Sequence, residues 1–213
     1  MIAESSEGEG LQMSDKHKVT RKPGLLDRQF GHPSGILGSL VGMAMAVEHK
    51  ELHRAVVEKL DLDSGDHVLE VGFGPGTAIR LAALRAAFVA GIEASSAMVL
   101  QAARRNRPTI RSGRVEVRRA SVSAIPYPDK SFSAVFEINS FHHWDRPDVG
   151  LQEIFRVLMP GGRLLMALHQ RRPESVQPEL NRVAMLLSQT GFTSITCGEH
   201  RFAHGGAFVT ARR

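Results

Sequence analysis

Val68-Leu69-Glu70-Val71-Gly72-Phe73-Gly74-Pro75-Gly76 is the stretch on which the reading of this chain turns. Val68, Leu69 and Val71 form a short apolar run of the kind that makes a buried parallel strand. Three glycines follow at alternate positions, Gly72, Gly74 and Gly76, so the backbone can turn tightly and approach a ligand with no Cβ in the way. The next residues, TAIRLAALRAA, favour helix. Strand, glycine turn and helix in that order build a ligand site at the carboxyl end of the first strand of an open α/β sheet. The spacing narrows the possibilities. It is E-x-G-x-G-x-G rather than the dinucleotide pattern G-x-G-x-x-G, and no G-x-x-x-x-G-K-[ST] loop for a nucleoside triphosphate occurs.

Strands and helices alternate outward from this stretch. FVAGI at Phe88 to Ile92 reads as a buried second strand, and Ser95 as the N-cap of a helix through Arg105 with Met98, Val99 and Ala102 inward. Val115 and Val117 alternate with charged residues, as in a strand near a sheet edge. SAVFEI at Ser133 to Ile138 is another buried strand. Asp148 is expected to cap a helix whose Leu151, Ile154, Phe155 and Leu158 share one face, with Pro160, Gly161 and Gly162 ending it before the strand RLLMALH. Pro178 is expected to open a last helix closed by Gly191. Two strands follow, around Phe192 to Cys197 and Ala207 to Ala211. Too few residues separate them for a crossover, so they should run antiparallel. The predicted fold is a Rossmann-like, doubly wound α/β sheet of seven strands with an antiparallel last strand.

At 213 residues the chain suits one domain with an appendage. Residues 1–22 lack apolar periodicity and read as a mobile tail, 23–62 as a glycine-punctuated helical lid segment, and 63–213 as the binding domain. No apolar run reaches the roughly 18 residues of a membrane span. The acidic, polar start is unlike a signal peptide, and the single Cys197 excludes an internal disulfide or a cysteine-based zinc site, so a cytoplasmic location is expected. The formal charge of +5 is carried largely by scattered arginine pairs without interleaved aromatics, which read as solvated helix faces and not as a nucleic-acid surface.

Three motifs, VLEVGFGPG, GIEAS at Gly91 to Ser95 and LQEIFRVLMPGGRLLMA at Leu151 to Ala167, resemble those of class I S-adenosylmethionine-dependent methyltransferases, most of all the small-molecule branch with the ubiquinone and menaquinone enzymes. IPYPDKSFSAVF at Ile125 to Phe136 is similar to that family's segment before its fourth strand. The resemblance implies S-adenosyl-L-methionine as cofactor and a small organic methyl acceptor, apolar or anionic. It implies that Glu93, 17 positions beyond Gly76, takes the ribose hydroxyls. Glu70 would lie near the methionine end, the three glycines would pack their main chain on the cofactor, and Ala94 and Asn139 would adjoin it. Ser121 and Val122 stand where the family often has Asp-Ala for the adenine, and Ser133 stands for its usual Asp, so both serines are expected to weaken adenine binding.

On the substrate side, Asn139-Ser140-Phe141-His142-His143-Trp144 follows the fourth strand. His142 or His143 is the candidate base, since imidazole titrates near neutrality; the alternative is that both merely orient the loop. No metal is expected there. The D/N-P-P-Y/F motif of base-methylating enzymes is absent, which counts against a nucleic-acid substrate. His49 and His53, with Glu51 between them, do not make an H-E-x-x-H zinc helix and read as exposed. Met43, Met45 and Val47, with Leu25, Leu26 and Phe30, are candidates either for core or for a lid over an apolar acceptor. Two rival functions remain at this stage: a non-catalytic S-adenosylmethionine-binding protein, and a nicotinamide-dependent oxidoreductase, against which the missing G-x-G-x-x-G speaks.

Overall fold

Val68 to Val71 do form the centre of the molecule. The computed structural model describes residues 50–169, 176–200 and 206–213. In chain order they form α1 (Lys50–Lys59), β1 (His67–Val71), α2 (Thr77–Ala82), β2 (Phe88–Glu93), α3 (Ser96–Arg105), α4 (Arg107–Arg111), β3 (Val115–Arg119), β4 (Phe132–Ile138), a 3₁₀ turn (Phe141–His143), α5 (Pro147–Val157), β5 (Leu158–His169), α6 (Val176–Thr190), β6 (Thr193–His200) and β7 (Gly206–Arg212). The seven strands lie in the order β3-β2-β1-β4-β5-β7-β6. β1 pairs parallel with both β2 and β4, whereas β7 runs antiparallel to β5 and β6. The strand order therefore reverses between β1 and β4, and a crevice opens outside their carboxyl ends, where ligands bind in sheets of this kind.

Period-two side chains divide the core into two layers. Leu69, Val71, Ala90, Ile92, Val135, Leu164 and Met166 face α5 and α6. Val68, Val89, Ala134, Phe136, Leu165 and Ala167 face the layer of α1 and α2. Both sheet faces are covered, which is why the strands read as continuous apolar runs. Leu52, Val56, Val57 and Leu60 bury α1 in that second layer. Helix α1 is therefore part of the domain's core, although the expected boundary put it with a separate lid segment. Residues 23–49 of that segment, with Leu25, Leu26, Phe30, Met43, Met45, Val47 and His49, lie outside the described residues.

Several local expectations shift by a residue or two. Ser95 caps α3 as read, its side chain accepting from Met98 N. Asp148 does not cap α5: Arg146 occupies the cap position, Pro147 the first helical position, and the Asp148 carboxylate pairs with the Arg146 guanidinium at 2.9 Å. Proline at that position gives up an amide that has no intrahelical partner anyway. Pro160, Gly161 and Gly162 belong to β5, where the pairing with β4 slips between Phe132 and Ala134.

Candidate functional site

Each of the three glycines has a positive φ, +70° at Gly72, +51° at Gly74 and +74° at Gly76, but they serve different ends. A Cβ on Gly72 would stand 2.4 Å from Ser140 Cβ, and one on Gly76 would stand 2.6 Å from Ala102 Cβ and 2.8 Å from Asn106 Nδ2. Those two glycines let protein pack on protein. A Cβ on Gly74 would meet nothing within 4 Å, so this is the position where the turn lies bare.

The bare turn forms one wall of a cleft of about 220 Å³ at the switch point. Of the expected cofactor residues, Glu70, Gly72, Gly74, Glu93, Ala94, Ser121, Val122 and Asn139 line it. Gly76 does not. It is buried against α3, where the cap residue Asn106 donates from Nδ2 to its carbonyl at 3.0 Å. His143 lines the cleft and His142 does not, although the two rings lie 3.9 Å apart between centroids. The expectation for Ser133 is corrected. It sits at the opposite, amino end of the strands, where its hydroxyl donates to Asp66 Oδ1 at 2.6 Å, and Arg163 reaches Asp66 Oδ2 at 2.6 Å. A serine there bears on the sheet and not on the adenine.

Carboxylates dominate the electrostatics. Glu93 Oε2 accepts from Gly74 N at 3.1 Å and Oε1 from Ser95 N at 2.9 Å. Each oxygen keeps a second lone pair for a ligand. Glu93 thus fixes the glycine turn and still has acceptors in hand. Glu70 is 2% exposed, and its Oε2 has no donor among the described residues. Burial raises its carboxyl well above the ordinary range, against the pull of the Ile79 amide, and the neighbouring Glu93 and Glu137 charges push it further. Asn139 Oδ1, at the end of β4, is likewise buried without a donor. Two stranded acceptors on one cleft are costly unless a ligand brings donors to them. Among the described lining residues there is no lysine or arginine, so the cleft of this basic chain is itself acidic.

Sequence reasoning missed several contributors. His53 was read as exposed, yet it is half-buried and lines the cleft from α1, because Leu52 and Val56 on either side of it turn into the core. Trp144 also lines the cleft, packed edge-on against buried Phe141 with 5.1 Å between centroids. Its place in the post-β4 motif was the available signal. Asp145 and Ser140 complete that side.

Comparison with known proteins agrees with this geometry. The family profile described as "Methyltransferase domain" matches residues 69–166, from β1 through most of β5. The "Uncharacterized methyltransferase YdaC" of Bacillus subtilis is 30% identical over 138 residues, covering 64% of this chain and 74% of that protein. The "27-O-demethylrifamycin SV methyltransferase" of Amycolatopsis mediterranei is 37% identical over 128 residues, 58% of this chain, but the chain spans only 47% of that relative. Among solved structures, a SAM dependent methyltransferase from Aquifex aeolicus superposes with a TM-score of 0.62 at 24% identity, covering 75% of this chain and 88% of the other. That last likeness speaks for the fold.

Proposed function

This chain belongs to the class I S-adenosylmethionine-dependent methyltransferases, and from that premise we propose that it methylates a hydroxyl of a small, largely apolar acceptor. The observation that carries the cofactor half is the acidic cleft, with two stranded acceptors and a bare glycine turn. Its donor set fits a ligand with an ammonium group and a ribose diol. Glu70 Oε2 and Asn139 Oδ1 accept from the ammonium. Glu93 takes the two ribose hydroxyls with the lone pairs not used by Gly74 and Ser95. Gly74 lets the nucleoside lie against the main chain, and the Ser121 hydroxyl accepts from the adenine amino group beside Val122. When bound, S-adenosylmethionine supplies a methyl group on a positively charged sulfur.

The rest falls to the chain. Holding a nucleophile in line is worth up to roughly 7–11 kcal/mol in well-oriented cases. His143, on the cleft wall, removes the hydroxyl proton of the acceptor, a contribution of typically about 10²–10⁴-fold. An oxygen acceptor is supported by the name of the rifamycin relative, and an apolar one by Ile138 and Trp144 on a wall that, among described residues, offers no lysine or arginine to an anion. The enzyme works in the cytoplasm, where Cys197 stays reduced.

Calorimetry with S-adenosylmethionine, S-adenosylhomocysteine and NAD tests the cofactor half. Binding of the two sulfur nucleosides and not of NAD is the expected result; NAD binding alone reverses the assignment. Turnover against a panel of apolar alcohols and phenols then tests the acceptor. Cofactor binding with no methylated product from any of them refutes the catalytic reading.

A further inference from the structure

Glu137 is fully buried on β4, opposite Val71 of β1 and Met166 of β5, and the chemistry proposed above makes no use of it. A carboxylate is expensive in such a place unless it is tied to donors. Its Oε2 gathers three: the Ser140 amide at 2.8 Å, the Ser140 hydroxyl at 3.0 Å and the Phe141 amide at 3.1 Å. Those two amides open the 3₁₀ turn Phe141–His143, where they would otherwise have no partner. The turn bears His143 and leads into Trp144, both on the cleft wall. Ser140 also lies against Gly72 and bonds to the Val71 carbonyl at 3.1 Å. One buried carboxylate thus fastens the substrate-side turn to the strand that carries the cofactor turn.

We propose that Glu137 is a positioning residue: through Ser140 and Phe141 it sets the height of the turn carrying His143 and Trp144 above the glycine turn, tightly when ionised and loosely when protonated. The active-site assignment of that wall rests on the function proposed above; the clasp itself does not. Protonation weakens the carboxyl as an acceptor for the two amides. Burial pushes the Glu137 carboxyl up to about 7, against the pull of the Ser140 amide, the Ser140 hydroxyl and the Phe141 amide, so the change falls in the neutral range. Nearby charges are Glu70 on β1, Arg182 of α6 over the Phe141 ring at 5.8 Å, and His142, His143 and Asp145 on the turn itself.

Trp144 is the single tryptophan of the chain and packs on Phe141, so its emission and its quenching by acrylamide report on the turn alone. The experiment is done in a His142→Gln, His143→Gln background, so that no imidazole on the turn titrates. The parent should show a step in Trp144 emission between pH 6 and 8, with easier quenching on the acid side. Glu137→Gln, which keeps an acceptor at the Oε2 position and cannot titrate, should lose the step. Glu137→Leu should be easily quenched at every pH while S-adenosylhomocysteine binding, measured by calorimetry, is not weakened, since the loss of a neighbouring negative charge only eases ionisation of Glu70. If Glu137→Leu does not fold, the Gln variant decides. A step that persists in Glu137→Gln, or a folded Glu137→Leu with parental quenching, overturns the proposal. So does an equal loss of S-adenosylhomocysteine affinity, which would mark a general structural role. Failure of every variant to bind that nucleoside would instead count against the methyltransferase reading.

Discussion

Alanine at Gly74 and alanine at Gly72 should fail in different ways, although the two glycines stand two residues apart with similar backbone angles. Gly74→Ala places a non-glycine residue at φ +51° with open space before its Cβ. Its stability cost is the left-handed backbone alone, about 1–2 kcal/mol. Gly72→Ala carries the same backbone cost, and its Cβ would also lie 2.4 Å from Ser140 Cβ and 2.8 Å from Ser140 Oγ. Ser140 cannot swing aside cheaply, since its amide donates to Glu137 and the single proton of its hydroxyl is shared between the Val71 carbonyl and Glu137. Overpacking adds about 1–3 kcal/mol, so the total is about 2–5 kcal/mol, a large part of an ordinary domain's stability. For ligand binding the order reverses. The new methyl of Gly74→Ala stands where the nucleoside should rest, and a loss of about tenfold or more corresponds to about 1.4 kcal/mol. Urea unfolding, with S-adenosylhomocysteine affinity measured on the folded fraction, reads both quantities. Equal destabilisation by the two substitutions would refute the packing role of Gly72. Undiminished affinity in Gly74→Ala would refute the bare turn as the ligand's resting place.

Glu93→Gln keeps shape and loses charge; the hydrogen bonds of a charged group contribute about 1.5–3 kcal/mol, so S-adenosylhomocysteine affinity should fall roughly 10- to 100-fold in isothermal titration, and an unchanged value would remove Glu93 from the ribose. Glu70 gives a pH dependence of defined sign. Its carboxyl is held high by burial and by Glu93 and Glu137, and an ammonium prefers the ionised form. Binding should therefore release a proton and tighten as pH rises, up to about tenfold per unit below the carboxyl's ligand-free pKa. Calorimetry in buffers of different ionisation enthalpy detects that proton, and affinity that weakens with rising pH would exclude Glu70 as its source.

What could be read in advance divides along a physical line. The succession of strands along the chain, the antiparallel end, the Ser95 cap and the strand-end position of Glu93 all follow from local patterns: apolar runs, a connection too short for a crossover, a capping serine, an acid closing a strand. What could not be read concerns pairings across the chain. Gly76 is required by Asn106 and Ala102 of α3, a contact that no spacing around the glycines announces. His53 enters the cleft only because α1 docks on α2, and in isolation an i, i+4 histidine pair on a helix looks solvated. The importance of Glu137 was illegible for the same reason. Within SAVFEI it is one charge in an apolar strand, and only the folded-back turn at Ser140 and Phe141 supplies its donors.

The two serines show how strand polarity decides what a substitution means. Both stand where the family often has aspartate, and both were expected to weaken adenine binding. Ser133 is the second residue of β4, at the amino end, where Asp66 accepts from its hydroxyl and is also met by Arg163. Burial pushes the Asp66 carboxyl up, but the Ser133 hydroxyl, the Asp63 amide and Arg163 together hold it below its usual value. A depressed folded-state pKa adds stability that is present above the unfolded value and lost as pH falls through the folded one. Ser133→Ala should therefore cost about 1 kcal/mol of stability at neutral pH, as one lost hydrogen bond does, and less in acid, with S-adenosylhomocysteine affinity untouched. Ser121 follows β3 at the carboxyl end and lines the cleft, its Oγ accepting from Ser123 N at 3.2 Å. Ser121→Asp leaves one oxygen for that amide and turns a charged one toward the adenine amino group. The difference between a neutral and a charged acceptor, about 1 kcal/mol, should tighten binding about fivefold with little change in stability. An affinity gain from Ser121→Asp beside an affinity-silent Ser133→Ala would place the adenine at the carboxyl end of β3. Tighter binding in neither, or weaker binding in Ser133→Ala, would mean the nucleoside lies elsewhere.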